Sequence, residues 1–261
     1  MKGILYKMST ELGNPIQYSL KWETPILMND FIGKNLRMEF FGTITCRKCE
    51  KVTKKSFGEG FCYPCFANAP EAAECIIRPE LCRAHLGEGR DVEWEEANHN
   101  QPHVVYLAAS DVVKVGVTRS TQVPTRWIDQ GAMSAIRIAE TPNRYEAGRL
   151  EVELKAMFSD KTNWQRMLKN EFDESIDLEE EKWTLHEQLP EDLTEFFTED
   201  DEIIEMTFPV LEFPLKVKSM SFDKEPIIEG MLMGIKGQYL IFDGGRVLNI
   251  RKHTSYHVEI S

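Results

Sequence analysis

Two cysteine pairs, Cys46-x2-Cys49 and Cys62-x2-Cys65, are separated by twelve residues, the spacing of a four-thiolate metal site. A C-x2-C turn aims two sulfurs at one ion. Two such turns complete the tetrahedron that zinc prefers, with each sulfur at about 2.3 Å. The intervening stretch KKSFGEGF supplies the glycines that a tight return needs. Four protein ligands leave no open position, so this ion would be structural and not a reaction centre. The competing readings are a redox pair of C-x-x-C turns or buried free thiols. A second set follows: Cys75, Cys82 and His85, spaced C-x6-C-x2-H, with His99 and His103 further on. Cys75, Cys82, His85 and His99 would make a second closed zinc site, with His103 the rival for the fourth place. The plainer reading has both cysteines as small core residues and His85 capping a helix.

Tyr106, Lys114, Gly116, Arg119, Arg126, Trp127 and Glu151 fall in order along residues 104–151. By residue type alone the ordinary roles are Tyr106 and Trp127 as core aromatics, and Arg126 and Glu151 as an ion pair. Glu146 and Glu153 are close rivals of Glu151.

The elements that would position these groups follow from periodicity. Residues 1–45 read as strands, with alternation in SLKW and KNLRMEFFGTIT. Residues 46–102 are rich in Cys, Gly, Pro and His and show little regular period, as a metal-organised segment would. HVVYLAAS and VVKVGVTR form a hairpin about Asp111. TRWIDQGAM is a short helix and SAIRIAET a third strand. Leu150, Leu154 and Phe158 mark a helix over about 143–158, and TNWQRMLKN a second helix after Asp160. Residues 171–205 are an acidic helix or linker. Residues 206–261 return to strands, with Asp243-Gly244-Gly245 as a hairpin turn. The reading is an α+β protein. It has an N-terminal β segment (1–45) that can pair with a C-terminal antiparallel β-domain (206–261). Between them lie a zinc-ribbon region (46–102), a small α/β domain (103–170) and the acidic segment (171–205).

Composition sets limits. The chain has 261 residues, 42% hydrophobic and 28% charged, the balance of a globular protein. No run of about 18 apolar residues occurs and the N-terminus does not read as a signal peptide. These point to the cytoplasm, where thiols stay reduced and bind metal. The net charge of −12 is unevenly spread. Residues 1–170 hold 23 Lys/Arg against 21 Asp/Glu, whereas 171–261 hold 8 against 22. A phosphate-binding surface on the first two thirds is therefore compatible with the acidic whole, and the acidic segment is the candidate surface for a protein partner.

From Val104 to Glu151 the chain resembles the GIY-YIG domain of homing endonucleases and repair nucleases, especially divergent phage-type relatives. VVY (104–106) stands at the first half-motif and KVG (114–116) at the second; an arginine in TRWIDQG and a glutamate in LEVELKAMF follow. Lys114 replaces the second tyrosine and Val104 the first glycine. The resemblance implies metal-assisted phosphodiester hydrolysis with Mg²⁺ or Mn²⁺. Tyr106 would orient water, Arg126 would clamp phosphate and Glu151 would ligate the metal, with Gly116 allowing close approach. Lys114, Arg119 and Trp127 would contact the nucleic acid. Over about residues 40–260 the chain also resembles an uncharacterised bacterial family that combines paired cysteine knuckles with the stretches VYLA, KVGVTR, RWIDQGA and DKTNWQ. That likeness implies an architecture and no established activity. A non-catalytic nucleic-acid-binding module and a protein-assembly factor are the alternatives.

Overall fold

The computed structural model describes residues 1–155, 157–158, 163–173 and 175–261. The chain divides into two compact units. The first comprises Met1–Ala67, Ile128–Gly131 and Met206–Ser261, and the second Asn68–Trp127 and Ala132–Glu205.

In the first unit, alternation builds a sheet from both ends of the chain. Asn35–Thr45 places Leu36 and Met38 inward and their neighbours outward. It pairs antiparallel with Tyr256–Ile260 on one side and Ile227–Lys236 on the other. Lys2–Ile4 adds to the outer edge of Tyr256–Ile260. Tyr239–Phe242 and Arg246–Asn249 extend the opposite side, and Lys218–Met220 closes it in parallel pairing. The Asp243-Gly244-Gly245 turn forms as its sequence implies, with both glycines at positive φ. The sheet buries Leu36, Met38, Ile228, Leu232, Leu240, Leu248, Val258 and Ile260. The strands Ser9–Glu11, Gln17–Leu20 and Ile26–Leu27 make a separate small sheet.

In the second unit, His103–Ala109 is central and buried at every position. It pairs antiparallel with Val113–Arg119 and with Ser134–Thr141, and Ile203–Glu205 adds beyond the latter. The helix Arg144–Lys155 packs Ala147, Leu150 and Leu154 against Val105, Leu107 and Ile136. The expected short helix after Pro124 is Thr125–Asp129. The helix expected near Asn163 is Trp164–Leu168, capped by the Asn163 side chain, which accepts from the amides of Gln165 and Arg166. The preceding Asp160, Lys161 and Thr162 lie outside the described residues. The acidic segment contributes the helices Leu178–His186 and Glu191–Thr194. Its Leu178, Leu185, Leu189 and Leu193 belong to the same core, so the segment is integral to this unit and is more than a solvated spacer. Among the described residues no helix is long and apolar enough to cross a membrane.

Candidate metal centres

The first cluster is built from two turns. The amide of Cys46 donates to Lys51, and its carbonyl accepts from the amide of Glu50, which adopts positive φ. Phe57 and Phe61 exchange two backbone hydrogen bonds of 2.9 Å and return the chain to Cys62. The four Sγ atoms of Cys46, Cys49, Cys62 and Cys65 all lie within 4.8 Å of one another. Cys49 and Cys62 are 3.7 Å apart, against the ~3.8 Å edge of a tetrahedron with 2.3 Å bonds. Burial works against ionising Cys46, yet hydrogen bonds from the backbone of Cys49, Cys62 and Lys48 bring its thiol down to about 6. Hydrogen bonding from Cys62, and then burial, pushes Cys65 up to about 12. Four crowded thiols cannot all ionise without a cation among them, and this donor set fits zinc.

The second cluster brings together Cys75, Cys82 and His99, each less than a tenth exposed. His99 ends the helix Val92–His99, whose start is capped by Asp91. Its Nδ1 is 3.6 Å from Cys82 Sγ and 3.9 Å from Cys75 Sγ. A mixed sulfur–nitrogen tetrahedral edge is about 3.6 Å. The hydrogen bond from Cys75 is the main cause that lowers Cys82 to about 4, with help from His99 and against burial; the same bond and burial raise Cys75. His85, expected as a ligand, is not in this group. Its ring stacks on Tyr145 at 4.5 Å, and its Nδ1 is buried without a hydrogen-bond partner. The reason is packing. The short turn Ala84–Leu86 presents the imidazole to the helix Arg144–Lys155, while the Val92–His99 helix delivers His99 to the sulfurs. His103 is also outside the cluster. Its Nδ1 is 2.6 Å from the Gln101 carbonyl, to which it donates, and its Nε2 is buried without a partner.

The third group is placed on one sheet and the helices beside it. Tyr106 and Gly116 are register partners on adjacent strands. The tyrosine ring crosses the glycine so closely that a Cβ there would be 2.6 Å from its Cζ and Oη. Tyr106 is 1% exposed and 5.6 Å from Trp127, which is fully buried. Trp127, a core aromatic by its residue type and a nucleic-acid contact by the resemblance, is a core side chain, and its Nε1 is buried without a partner. Lys114 Nζ lies 3.5 Å from the buried Asp111 carboxylate. Glu151 is 7% exposed and pairs at 3.3 Å with Lys155, one turn on, and not with Arg126. Burial raises its carboxyl pKa, and Lys155 and then Arg144 moderate the rise. Its rival Glu146 is bound to Arg149. Among the described residues, the two cysteine clusters are the sole groups of three or more possible metal ligands drawn together.

Arg144 was not singled out from the sequence. A basic residue opening a helix opposes the helix dipole, and that misfit was the available signal. Its Nε donates to the Cys75 carbonyl and its Nη2 to that of Ile76, both at 2.9 Å. Burial lowers its pKa; Cys75, Cys82 and Glu151 oppose that, and Arg126 adds to it. His103 feels both Arg144 and Arg119. Arg119 itself donates to Asn98 Oδ1 at 2.6 Å. Among the described residues no carboxylate lies within 4.0 Å of the guanidinium of Arg119, Arg126 or Arg144.

These features define an α+β protein with a four-cysteine site and a second site of two cysteines and one histidine, each of which could hold zinc. A family model described as "Protein of unknown function (DUF2797)" matches residues 33–258, and the chain belongs to that family. The match takes in both clusters and all three arginines. No curated protein and no solved structure matches the chain.

Proposed function

We propose that this is a zinc-binding protein whose second unit binds the phosphate backbone of a nucleic acid without cutting it. The observation that carries this reading is local positive charge without an ion pair: Arg126 acts on Arg144, Arg144 and Arg119 both act on His103, and the guanidiniums of Arg119 and Arg144 are held by neutral oxygens of Asn98, Cys75 and Ile76. Such charges attract a polyanion and release its counterions on binding. Zinc at the two clusters supplies cross-links that hold the chain in place. The order of strand, strand, helix, strand and helix from His103 to Lys155 supports a GIY-YIG-like ancestry. Hydrolysis is disfavoured by the buried Tyr106 and by Glu151, whose carboxylate is paired with Lys155.

The test titrates zinc-loaded protein against labelled single-stranded and duplex DNA and RNA between about 50 and 200 mM salt, a range over which backbone contacts show clearly. Wild type is expected to bind with a steep salt dependence, and Arg119→Ala/Arg126→Ala to bind more weakly with a salt slope smaller by about 2. Equal binding by the two proteins removes the proposal. Cleavage with Mg²⁺ or Mn²⁺ that is lost in Glu151→Ala would replace it with the nuclease reading.

A further inference from the structure

The Cys62–Cys65 turn carries a surface that metal binding alone does not explain. Tyr63 is 64% exposed and Phe66 36% exposed, on the short helix Tyr63–Asn68. Both rings pack against Phe57, at 5.5 and 6.2 Å. Gly58 lies beneath Phe66, where a Cβ would be 2.5 Å from the ring. The turn Phe57–Phe61 runs through three consecutive positive-φ residues, Gly58, Glu59 and Gly60. Phe61, at its far end, is 1% exposed and faces inward. The segment thus divides its aromatics. One seals the interior, and the others are held outward by close packing.

Charge in the same segment is one-sided. Residues 46–66 contain Arg47, Lys48, Lys51, Lys54 and Lys55 against Glu50 and Glu59, in a chain whose net charge is −12. Glu59 is already engaged by Arg251 at 2.7 Å. Lys51, Lys54 and Lys55 are exposed. The two outward rings leave apolar surface that a partner can cover. Exposed rings on a segment that also carries exposed lysines have a natural occupant in unstacked bases on a phosphate backbone. A duplex keeps its base faces stacked on each other and cannot use the rings.

We infer that the four-cysteine knuckle is a binding surface for single-stranded nucleic acid, with Tyr63 and Phe66 as the stacking platform and Lys54 and Lys55 as phosphate contacts. It extends the nucleic-acid reading to a second surface and stands on different residues, so the two fail separately. The Arg119→Ala/Arg126→Ala variant reports on the arginines, and knuckle variants report on this surface.

The experiment uses the full zinc-loaded chain and measures fluorescence anisotropy with a labelled 15-nucleotide oligothymidine, a duplex of equal length and an oligoglutamate peptide. Wild type is expected to prefer the single strand. Tyr63→Ala/Phe66→Ala should raise its Kd at least tenfold and leave duplex affinity unchanged. Lys54→Glu/Lys55→Glu should raise it similarly and flatten the salt dependence. Cobalt substitution, read by thiolate-to-metal absorption, checks that each variant keeps its metal site. If Tyr63→Ala/Phe66→Ala perturbs that spectrum, the lysine variant decides the matter alone. Single-strand affinity unchanged in a metal-loaded variant overturns the inference. So does an equal loss of duplex affinity in Tyr63→Ala/Phe66→Ala, or tighter binding of the acidic peptide than of the oligonucleotide.

Discussion

Gly148 touches the backbone of Glu80: a Cβ on the glycine would lie 2.2 Å from the Glu80 amide nitrogen and 2.4 Å from the Pro79 carbonyl carbon. The helix Arg144–Lys155 can therefore lie directly on the turn Pro79–Leu81, which leads into Cys82. Glycine inside a helix costs about 1 kcal/mol relative to alanine, and the close approach accounts for it. Gly148→Ala gains that propensity but must push backbone aside, an overpacking cost of about 1–3 kcal/mol or more. The expected result is net destabilisation in urea unfolding and weaker metal retention at the Cys75–Cys82–His99 cluster. A more stable variant would show that the turn is free to move.

Removing the metal should loosen the first unit. Cys62→Ser is expected to lower bound zinc by one equivalent per chain and to abolish the cobalt absorption of the four-thiolate site. A chelator should lower the Tm of wild type far more than that of the variant, because ligand-set free energy is folding free energy in such sites. Unchanged zinc content in Cys62→Ser would exclude this ligand set.

His103 predicts a pH dependence. Burial is the main cause that takes its pKa from an ordinary 6.5 to about 4. Unfolding restores the ordinary value, so below 6.5 the unfolded chain takes up a proton that the folded chain refuses. The contribution is intact above pH 6.5 and is lost as pH falls towards 4, at about 1.4 kcal/mol per pH unit. His103→Phe removes this term. Between pH 7 and 5 the variant is expected to lose about 2 kcal/mol less stability than wild type. Parallel pH profiles for the two proteins would contradict this.

Lys182 is fully buried, and its ammonium donates to the Asp200 carbonyl at 2.7 Å and to Asp201 Oδ1 at 2.8 Å. Asp201 is a third exposed, so solvent screens part of the pair. Asp201→Ala should still destabilise the protein, because a buried cation loses its counter-charge. Lys182→Met should cost less than Asp201→Ala, since it leaves no buried charge behind. Urea unfolding of the two variants tests the order.

Some of this protein can be read locally. A C-x2-C turn places two sulfurs by itself, so the four-cysteine cluster is visible in the spacing of Cys46, Cys49, Cys62 and Cys65. Alternation likewise marks Asn35–Thr45 as a strand, a β-branched apolar run marks His103–Ala109, and Asp243-Gly244-Gly245 marks a turn. Where a group depends on remote neighbours, the sequence is silent or misleading. His85 has the better spacing to Cys82, yet His99 reaches the sulfurs because a separate helix carries it there. Trp127 stands where the resemblance implies a nucleic-acid contact but closes the core against Tyr106. Leu178 and Leu185 lie within an acidic run whose charge masks the apolar side that packs inward. Arg144 acquires its surroundings only when the Cys75–Ile76 carbonyls meet the start of its helix.

The sequence by itself determined the four-cysteine donor set, the α+β class and the asymmetric charge, because these follow from residue type and near-neighbour spacing. Tertiary structure decided which histidine joins the second cluster, that Glu151 pairs with Lys155 and that Arg144 meets the Cys75 and Ile76 carbonyls. Those outcomes depend on packing between segments tens of residues apart, which no local period records.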